Sequence, residues 1–257
     1  MHHGFIGFGN MAKAIFNGLK EDSKNKFLYI SKTNTHKEAT VAENFKDLVN
    51  TSEVLWLCIK PQVLDEVLDE LKNFDLSEKT IVSVIAGKTI SHIQNKLQHE
   101  NKTTIIRTMP NLAIAYKKSV TAFCANTKSI TTNEVKESLK QVGEVVEIDE
   151  SHFDIFTAIF GSGPAFILET MKAFRKQITK LDTNEETTNN LLYKLFEGSI
   201  THFNKNKDDQ KITKMIANIT SKGGTTEAGL NIYKEQKIEE NLENVMIAAA
   251  ERSKNMR

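Results

Sequence analysis

The sequence predicts an α/β domain followed by an all-helical domain. Up to about residue 149, short apolar runs rich in β-branched and aromatic residues alternate with longer amphipathic runs. This alternation is typical of strand–helix–strand units around a parallel sheet. Beyond that point the strand-like runs stop and helical periodicity fills the chain. We therefore expect one domain over residues 1–149 and a second over residues 150–257.

Seven strands are predicted in the first domain. Several are continuous apolar runs, as expected for strands that are covered by helices on both faces. Their predicted bounds are His3–Gly7, Phe27–Ser31, Val54–Ile59, Thr80–Ile85, Thr103–Arg107, Val120–Ala125 and Glu144–Ile148. Helices are predicted over Met11–Leu19 and over Gln62–Leu71, the second with Pro61 at its start.

Six helices are predicted in the second domain. Glu150 and Ser151 supply the start of the first one. The predicted bounds are Ser151–Ile159, Pro164–Lys180, Thr187–Asn204, Lys211–Thr220, Thr225–Tyr233 and Ile238–Arg257.

Composition narrows the classes of function. The chain has 257 residues, and its 34 Lys and Arg nearly balance its 33 Asp and Glu, which argues against a nucleic-acid or membrane surface as the main partner. The sequence contains neither an apolar run of membrane-spanning length nor a signal-peptide pattern. Cys58 and Cys124 lie far apart without metal-ligand spacing, which predicts reduced thiols in a cytoplasmic protein and no bound metal.

A glycine-rich turn follows the first predicted strand. Gly7-Phe8-Gly9-Asn10-Met11-Ala12 has the pattern G-x-G-x-x-A. In such a turn Gly7 permits the tight bend, Gly9 lets a pyrophosphate approach the backbone, and Ala12 lets the helix pack on the strand. A plain tight turn is the alternative. The apolar strand before the turn and the amphipathic helix after it favour a dinucleotide site.

The end of the second predicted strand indicates which dinucleotide binds. An NAD site places an acidic residue there to hold the ribose hydroxyls. Tyr29-Ile30-Ser31-Lys32-Thr33 contains none. Ser31 and Thr33 can donate hydrogen bonds, and Lys32 supplies positive charge for a 2′-phosphate. The pattern favours NADP(H), with NAD(H) and a purely surface role for Lys32 left open.

Further motifs lie at strand ends and in the helical domain. Residues 58–62 (CIKPQ), 83–89 (SVIAGKT) and 107–111 (RTMPN) each end a predicted strand, where turn chemistry alone is the alternative. Residues 161–165 (GSGPA) are explained by close packing at a helix start. Residues 218–230 (NITSKGGTTEAGL) aim backbone N–H groups and hydroxyls at one point, which suits a carboxylate.

Together these segments resemble the pyrroline-5-carboxylate reductase family over nearly the whole chain, and SKGGTTEAGL is the most specific of them. The resemblance implies an N-terminal Rossmann-like dinucleotide-binding domain and a C-terminal all-helical dimerisation domain. Dimers in this family often assemble further into decamers. The implied reaction is NAD(P)H-dependent reduction of the cyclic imine of 1-pyrroline-5-carboxylate to L-proline, the last step of proline biosynthesis.

The resemblance also assigns residues by position. Those expected at the cofactor are Gly7, Phe8, Gly9, Asn10, Met11, Ala12, Ser31, Lys32, Ile59, Lys60, Pro61, Ala86, Gly87 and Asn111. Those expected at the substrate are Asn218, Ser221, Gly223, Gly224, Thr225 and Thr226. The Thr226 hydroxyl is the candidate catalytic partner of the imine nitrogen. The chain departs from the family at Lys222, where proline is usual, and at Leu112-Ala113, where Thr-Pro is frequent.

Two other functions remain open. A reductase similar to the 3-hydroxyacid dehydrogenases would place its catalytic lysine near Lys172 or Lys176, but the glycine-rich frame expected around that lysine is missing. A non-catalytic NADP-binding sensor or scaffold would not require the 218–230 segment.

Overall fold

The structure is a computed structural model that describes residues 1–32, 36–98 and 103–256. Two compact units divide these residues. Unit 1 comprises residues 1–162 and 246–257, and unit 2 comprises residues 163–245. Thr33, predicted to donate beside Ser31, lies outside the described residues.

Unit 1 contains an eight-stranded sheet. The strands are β1 (His2–Ile6), β2 (Lys26–Ile30), β3 (Thr40–Val41), β4 (Val54–Leu57), β5 (Thr80–Ser83), β6 (Thr104–Met109), β7 (Ser119–Ala125) and β8 (Gly143–Glu147). Their order across the sheet is β3-β2-β1-β4-β5-β6-β7-β8. The strands from β3 to β6 are mutually parallel, and the chain crosses from one side of β1 to the other after β3.

The sheet departs from the predicted parallel arrangement at one edge. β7 pairs antiparallel with β6, and β8 then pairs parallel with β7. Only the short 3₁₀ helix Leu112–Tyr116 separates β6 from β7. A parallel crossover needs a dozen or more residues, so this connection returns the chain in the opposite direction.

Helices and the buried core lie on both faces of the sheet. The helices are α1 (Asn10–Leu19), α2 (Phe45–Thr51), α3 (Leu64–Leu71), α4 (Ile90–Leu97), α5 (Ile130–Lys140) and α6 (Phe153–Phe156), the last followed by a π-helical turn, Thr157–Ser162. Consecutive strand residues alternate between two buried clusters: Phe5 and Trp56 belong to one, and Ile6 and Leu55 to the other. This period of two confirms that the strands are covered on both faces.

Unit 2 is entirely helical in the residues described. It contains α7 (Gly163–Ile178), α8 (Glu185–Asn206), α9 (Ile212–Asn218), α10 (Thr225–Glu235) and the first part of α11 (Ile238–Lys254), whose last part belongs to unit 1. The order of an α/β region followed by a helical region is as predicted. Across the described residues, no helix combines the length and apolarity needed to cross a membrane.

A buried histidine joins β1 to β4. The Trp56 indole Nε1 donates to His3 Nδ1 at 3.0 Å, and His3 Nε2 lies 3.3 Å from Asn25 Oδ1. Since Nδ1 accepts, the ring proton is on Nε2 and is donated to Asn25. Burial lowers the pKa of His3 from 6.5 to about 4, and the Asn25 contact opposes that effect only in part.

We expect this histidine to make stability depend on pH. The unfolded chain gains a proton near pH 6.5 while the folded chain resists protonation until about pH 4, so stability is lost as the pH falls through that window. His3 alone should lower the free energy of unfolding by about 2 kcal/mol between pH 7 and pH 5. Urea unfolding at both values measures the change. His3→Asn keeps an acceptor for Trp56 and should flatten the dependence; an equally steep His3→Asn profile would contradict the assignment.

Candidate active site

The residues predicted to hold a cofactor lie at one edge of the sheet. Five parallel strands (β1, β2, β4, β5 and β6) end at this edge, and each is followed by one group of predicted residues. These groups are Gly7–Ala12, Ser31–Lys32, Ile59–Pro61, Ala86–Gly87 and Asn111. β1 lies at the point where the chain switches sides, and in open α/β sheets ligands bind at the carboxyl edge beside such a point.

The bend at Gly7 is fixed by neighbours on both sides. Its N–H donates to the Ile30 carbonyl oxygen at 2.9 Å, and its φ of +84° lies in the left-handed region. A Cβ at this position would lie 2.6 Å from the Cys58 carbonyl oxygen and 2.8 Å from Cγ2 of Ile59. Gly7 is therefore required by the fold itself.

Gly9 differs from Gly7 because its surroundings are open. A Cβ at Gly9 would meet no atom of the described chain within 4 Å. Gly9 precedes α1 without any side-chain cap, and the first turn of α1 carries no acidic residue. The first N–H groups of α1 have no intrahelical acceptors and follow directly after this open position, an arrangement that suits an anion. This opening is the feature of unit 1 that fits a phosphate group.

The Phe8 side chain is directed away from this opening. It is 2% exposed and stacks on Tyr29 with ring centroids 4.2 Å apart. Only the backbone of Phe8, one of the residues expected at the cofactor, is left to face a ligand. Ala12 is fully buried, which agrees with its predicted role in packing the helix on the strand.

Beyond β2, Ser31 is half-buried and Lys32 is exposed. The exposed Lys32 ammonium is accessible to a phosphate. Lys60 is also exposed, while Ile59 and Pro61 are half-buried.

Gly87 is small for a reason that the sequence did not indicate. A Cβ there would lie 2.7 Å from the Ser253 carbonyl oxygen and 2.7 Å from Met256 Cβ, and the φ of Gly87 is +75°. The end of α11 therefore packs on Gly87. The buried Ser253 hydroxyl also donates to Asp154 Oδ1 at 2.7 Å, which holds this end of α11 in unit 1. The predicted need for room beside a nicotinamide is not required to explain this glycine.

The Asn111 side chain is engaged within the protein. Its Nδ2 donates to the Phe160 carbonyl oxygen at 2.9 Å, and its Oδ1 accepts from the Ala113 N–H at 3.0 Å. Its backbone N–H donates to Ser119 Oγ at 3.2 Å. Asn111 thus caps the 3₁₀ helix that contains Leu112-Ala113, and this geometry gives its side chain a structural role.

The residues predicted to hold the substrate lie in unit 2. Asn218 ends α9, and its Nδ2 donates to Gln210 Oε1 at 3.0 Å. Ser221 and Gly224 form the turn before α10, where the Gly224 N–H donates to the Ser221 carbonyl oxygen at 3.0 Å. A Cβ at Gly224 would lie 2.3 Å from Ser221 Oγ. A larger residue at position 224 would therefore displace the Ser221 hydroxyl.

Thr225 and Thr226 are the first two residues of α10. At these positions their backbone N–H groups have no intrahelical acceptor, and their hydroxyls belong to the same turn. Such a group of donors fits a small anion.

The chain matches two family models. One, described as pyrroline-5-carboxylate reductase dimerisation, matches residues 150–256. The other, described as NADP oxidoreductase, coenzyme F420-dependent, matches residues 2–87. A pyrroline-5-carboxylate reductase of Staphylococcus haemolyticus is 32% identical, over 97% of this chain and 95% of the relative. The chain belongs to the pyrroline-5-carboxylate reductase family.

Two further comparisons agree with this membership. Pyrroline-5-carboxylate reductase 2 of Bacillus subtilis is 30% identical, over 97% of this chain and 93% of the relative. The crystal structure of Plasmodium falciparum pyrroline carboxylate reductase with NADP bound superposes with a TM-score of 0.93 at 26% identity, covering 100% of this chain and 98% of that one. The predicted resemblance and the predicted fold class are both confirmed.

Sequence reasoning missed two contacts of this family member. Arg107, fully buried in β6, pairs with Glu150 at 3.0 Å and lies over the Phe153 ring, and the same carboxylate oxygen accepts the Ile90 N–H at 2.8 Å. The second is the Glu227 carboxylate, which accepts a hydrogen bond from the Gly223 N–H at 2.7 Å. Arg107 and Glu150 are 43 residues apart, so no local sequence pattern indicates their pairing. Glu227 is different, because a glutamate at the third position of a helix is a known capping signal in the sequence.

Substitution of Gly9 should weaken cofactor binding, whereas substitution of Gly7 should lower the stability of the fold. Gly9→Ala adds a methyl group to open space, so we expect an unchanged melting temperature and at least tenfold weaker NADPH binding. Gly7→Ala forces a left-handed φ and an overlap with Cys58, which should cost about 2 kcal/mol of stability or more. Differential scanning fluorimetry and fluorescence titration with NADPH measure both quantities. Tight NADPH binding by a stable Gly9→Ala variant would show that no phosphate approaches Gly9.

Proposed function

We propose that this protein is a pyrroline-5-carboxylate reductase that transfers hydride from NADPH to the cyclic imine of 1-pyrroline-5-carboxylate and releases L-proline. The observation that carries the proposal is the pair of glycine-initiated helices: α1 opens after Gly9 and α10 opens after Gly224. The first suits a pyrophosphate and the second a carboxylate. Relatives that bear this enzyme's name align over 97% of the chain.

The residues at the carboxyl edge of the sheet would hold the cofactor. The turn Gly7–Ala12 offers backbone N–H groups to the pyrophosphate, and Ile59–Pro61 and Ala86–Gly87 border it from the neighbouring strands. Asn111 positions the backbone that follows β6. Ser31 and Lys32 face the ribose, and the absence of an acid after β2 favours NADPH over NADH. When bound, NADPH would supply the hydride.

The donors at the start of α10 would hold the substrate. The N–H groups of Thr225 and Thr226 bind its carboxylate, within a turn shaped by Ser221, Gly223 and Gly224 and closed by Asn218 of α9. A cyclic imine is basic enough to bind in the protonated form. The Thr226 hydroxyl then orients the iminium nitrogen, and no metal is required.

We further propose that residues 150–257 form a homodimer, that dimers assemble into decamers, and that residues 1–149 form the cofactor domain. Several large apolar side chains of unit 2, including Ile200 at 65% and Ile219 at 64%, are exposed within one chain. Surfaces of this kind mark interfaces between subunits. Burial raises the pKa of Cys124 to about 12 and also raises that of Cys58, so both thiols stay protonated. We place the protein in the cytoplasm, where thiols remain reduced.

The proposal is tested by NADPH oxidation with racemic 1-pyrroline-5-carboxylate, followed by chiral chromatography of the product. Turnover that yields L-proline supports it. NADPH binding without turnover would instead indicate a sensor.

Thr226→Ala should lower kcat by about 10- to 1,000-fold while NADPH affinity changes little, because the oriented hydrogen-bond partner of the reacting nitrogen is lost. Thr226→Ser keeps a hydroxyl and serves as the matched control. Steady-state kinetics and NADPH titration measure both. A Thr226→Ala enzyme with unchanged kcat would remove Thr226 from the mechanism.

Lys32→Ala should weaken NADPH binding by about tenfold and NADH binding by less than about twofold, because only NADPH carries the 2′-phosphate. Lys26, exposed at the opposite end of the same strand, provides the control Lys26→Ala. The measurement is the dissociation constant of each variant for NADPH and for NADH. Equal losses for NADPH and NADH would mean that Lys32 does not contact the 2′-phosphate.

A further inference from the structure

The turn before α10 is closed by one of the helix's own side chains. Glu227, the third residue of α10, accepts a hydrogen bond from the Gly223 N–H through Oε2 at 2.7 Å. Gly223 has a φ of +72°, which only a glycine adopts without strain. Gly224 at the N-cap carries no side chain, and Glu227 reaches back from inside the helix to the N–H of Gly223, the residue before the N-cap.

This contact determines which donors remain for a ligand. The Gly223 N–H donates to Glu227, and the Gly224 N–H donates to the Ser221 carbonyl oxygen at 3.0 Å. The first backbone donors left over are those of Thr225 and Thr226, which have no acceptor within the helix. The backbone donors available to an anion are therefore those of Thr225 and Thr226, and not those of Gly223 and Gly224.

We propose that Glu227 is a positioning residue for substrate binding, which holds Gly223 so that the donors of Thr225 and Thr226 converge on the substrate carboxylate. This inference rests on the proposed function and extends it to a residue outside the predicted site. Glu227 contacts neither substrate nor cofactor in this role. Its loss should raise KM for the imine and leave both kcat at saturation and NADPH affinity nearly unchanged.

The negative charge of Glu227 leads to a second prediction, in which replacement by glutamine does not weaken substrate binding as replacement by alanine does. A carboxylate in the first turn of α10 lies near the place assigned to the substrate's own carboxylate, and like charges repel. Its role as an acceptor for Gly223 does not require a negative charge, since glutamine fills the same capping position. Glu227→Gln should therefore keep the turn closed and bind the substrate at least as well as the unmodified enzyme.

The experiment compares three variants with the unmodified enzyme: Glu227→Ala, Glu227→Gln and Glu235→Ala. Glu235 is exposed at the far end of the same helix and controls for loss of one negative charge on α10. We expect KM for 1-pyrroline-5-carboxylate to rise about fivefold or more in Glu227→Ala only. Backbone amide exchange at Gly223, measured without ligands, should quicken in Glu227→Ala and stay slow in the other two.

The outcomes separate this inference from the proposed function. If the unmodified enzyme does not reduce the imine, the proposed function is wrong. The positioning role is then wrong as well, even if slow amide exchange at Gly223 shows that its hydrogen bond to Glu227 exists. An active enzyme in which Glu227→Ala matches Glu235→Ala overturns the positioning role alone. A Glu227→Gln variant as impaired as Glu227→Ala also overturns it, because the charge itself would then be required.

Discussion

The contact between Gly7 and the backbone after β4 is the constraint on which the candidate cofactor site depends. The chain leaves β1 so close to Cys58 that any side chain at residue 7 would overlap the carbonyl oxygen. This closeness brings the turn and the Ile59–Pro61 segment together at one edge. Since β1 also pairs with β2, the same bend sets the Ile30 carbonyl oxygen against the Gly7 N–H. The bend at Gly7 thus aligns the ends of β1, β2 and β4 through contacts within the protein alone.

The turn between β1 and α1 is held firmly at Phe8 and is open at Gly9. Phe8 is inserted into the aromatic core between Tyr29, Phe5 and Phe16, which anchors the backbone immediately before Gly9. A Cβ at Gly9 would have no neighbour within 4 Å among the residues that the structure describes. A donor array that is held rigidly and yet left uncovered loses little conformational entropy when an anion binds. The buried side chain of Phe8, a residue expected at the cofactor as part of the turn, provides this rigidity.

Features set by local periodicity could be predicted, and features set by distant partners could not. The five strand ends at the carboxyl edge and the start of α10 at Thr225 follow from apolar runs, glycines and hydroxyls that are adjacent in sequence. The reversal of β7 follows from a connection too short for a crossover, which is visible only when the strand bounds are known. The packing of α11 on Gly87 joins residues more than 160 positions apart, so Gly87 was assigned a different reason for being small.

In the described part of the chain, four α-helix starts are capped by a side chain, whereas the two starts that we assign to ligands are not. Asn44, Thr89, Ser129 and Asn184 each accept an N–H of the helix that follows, so α2, α4, α5 and α8 satisfy a donor internally. In contrast, α1 and α10 begin after Gly9 and Gly224, which have no side chain to do so. The two starts differ in charge: the first turn of α1 has no acid, while that of α10 holds Glu227. An acid-free start suits a pyrophosphate with several negative charges, whereas a start that already holds one carboxylate suits a ligand with a single negative charge and a positive iminium beside it.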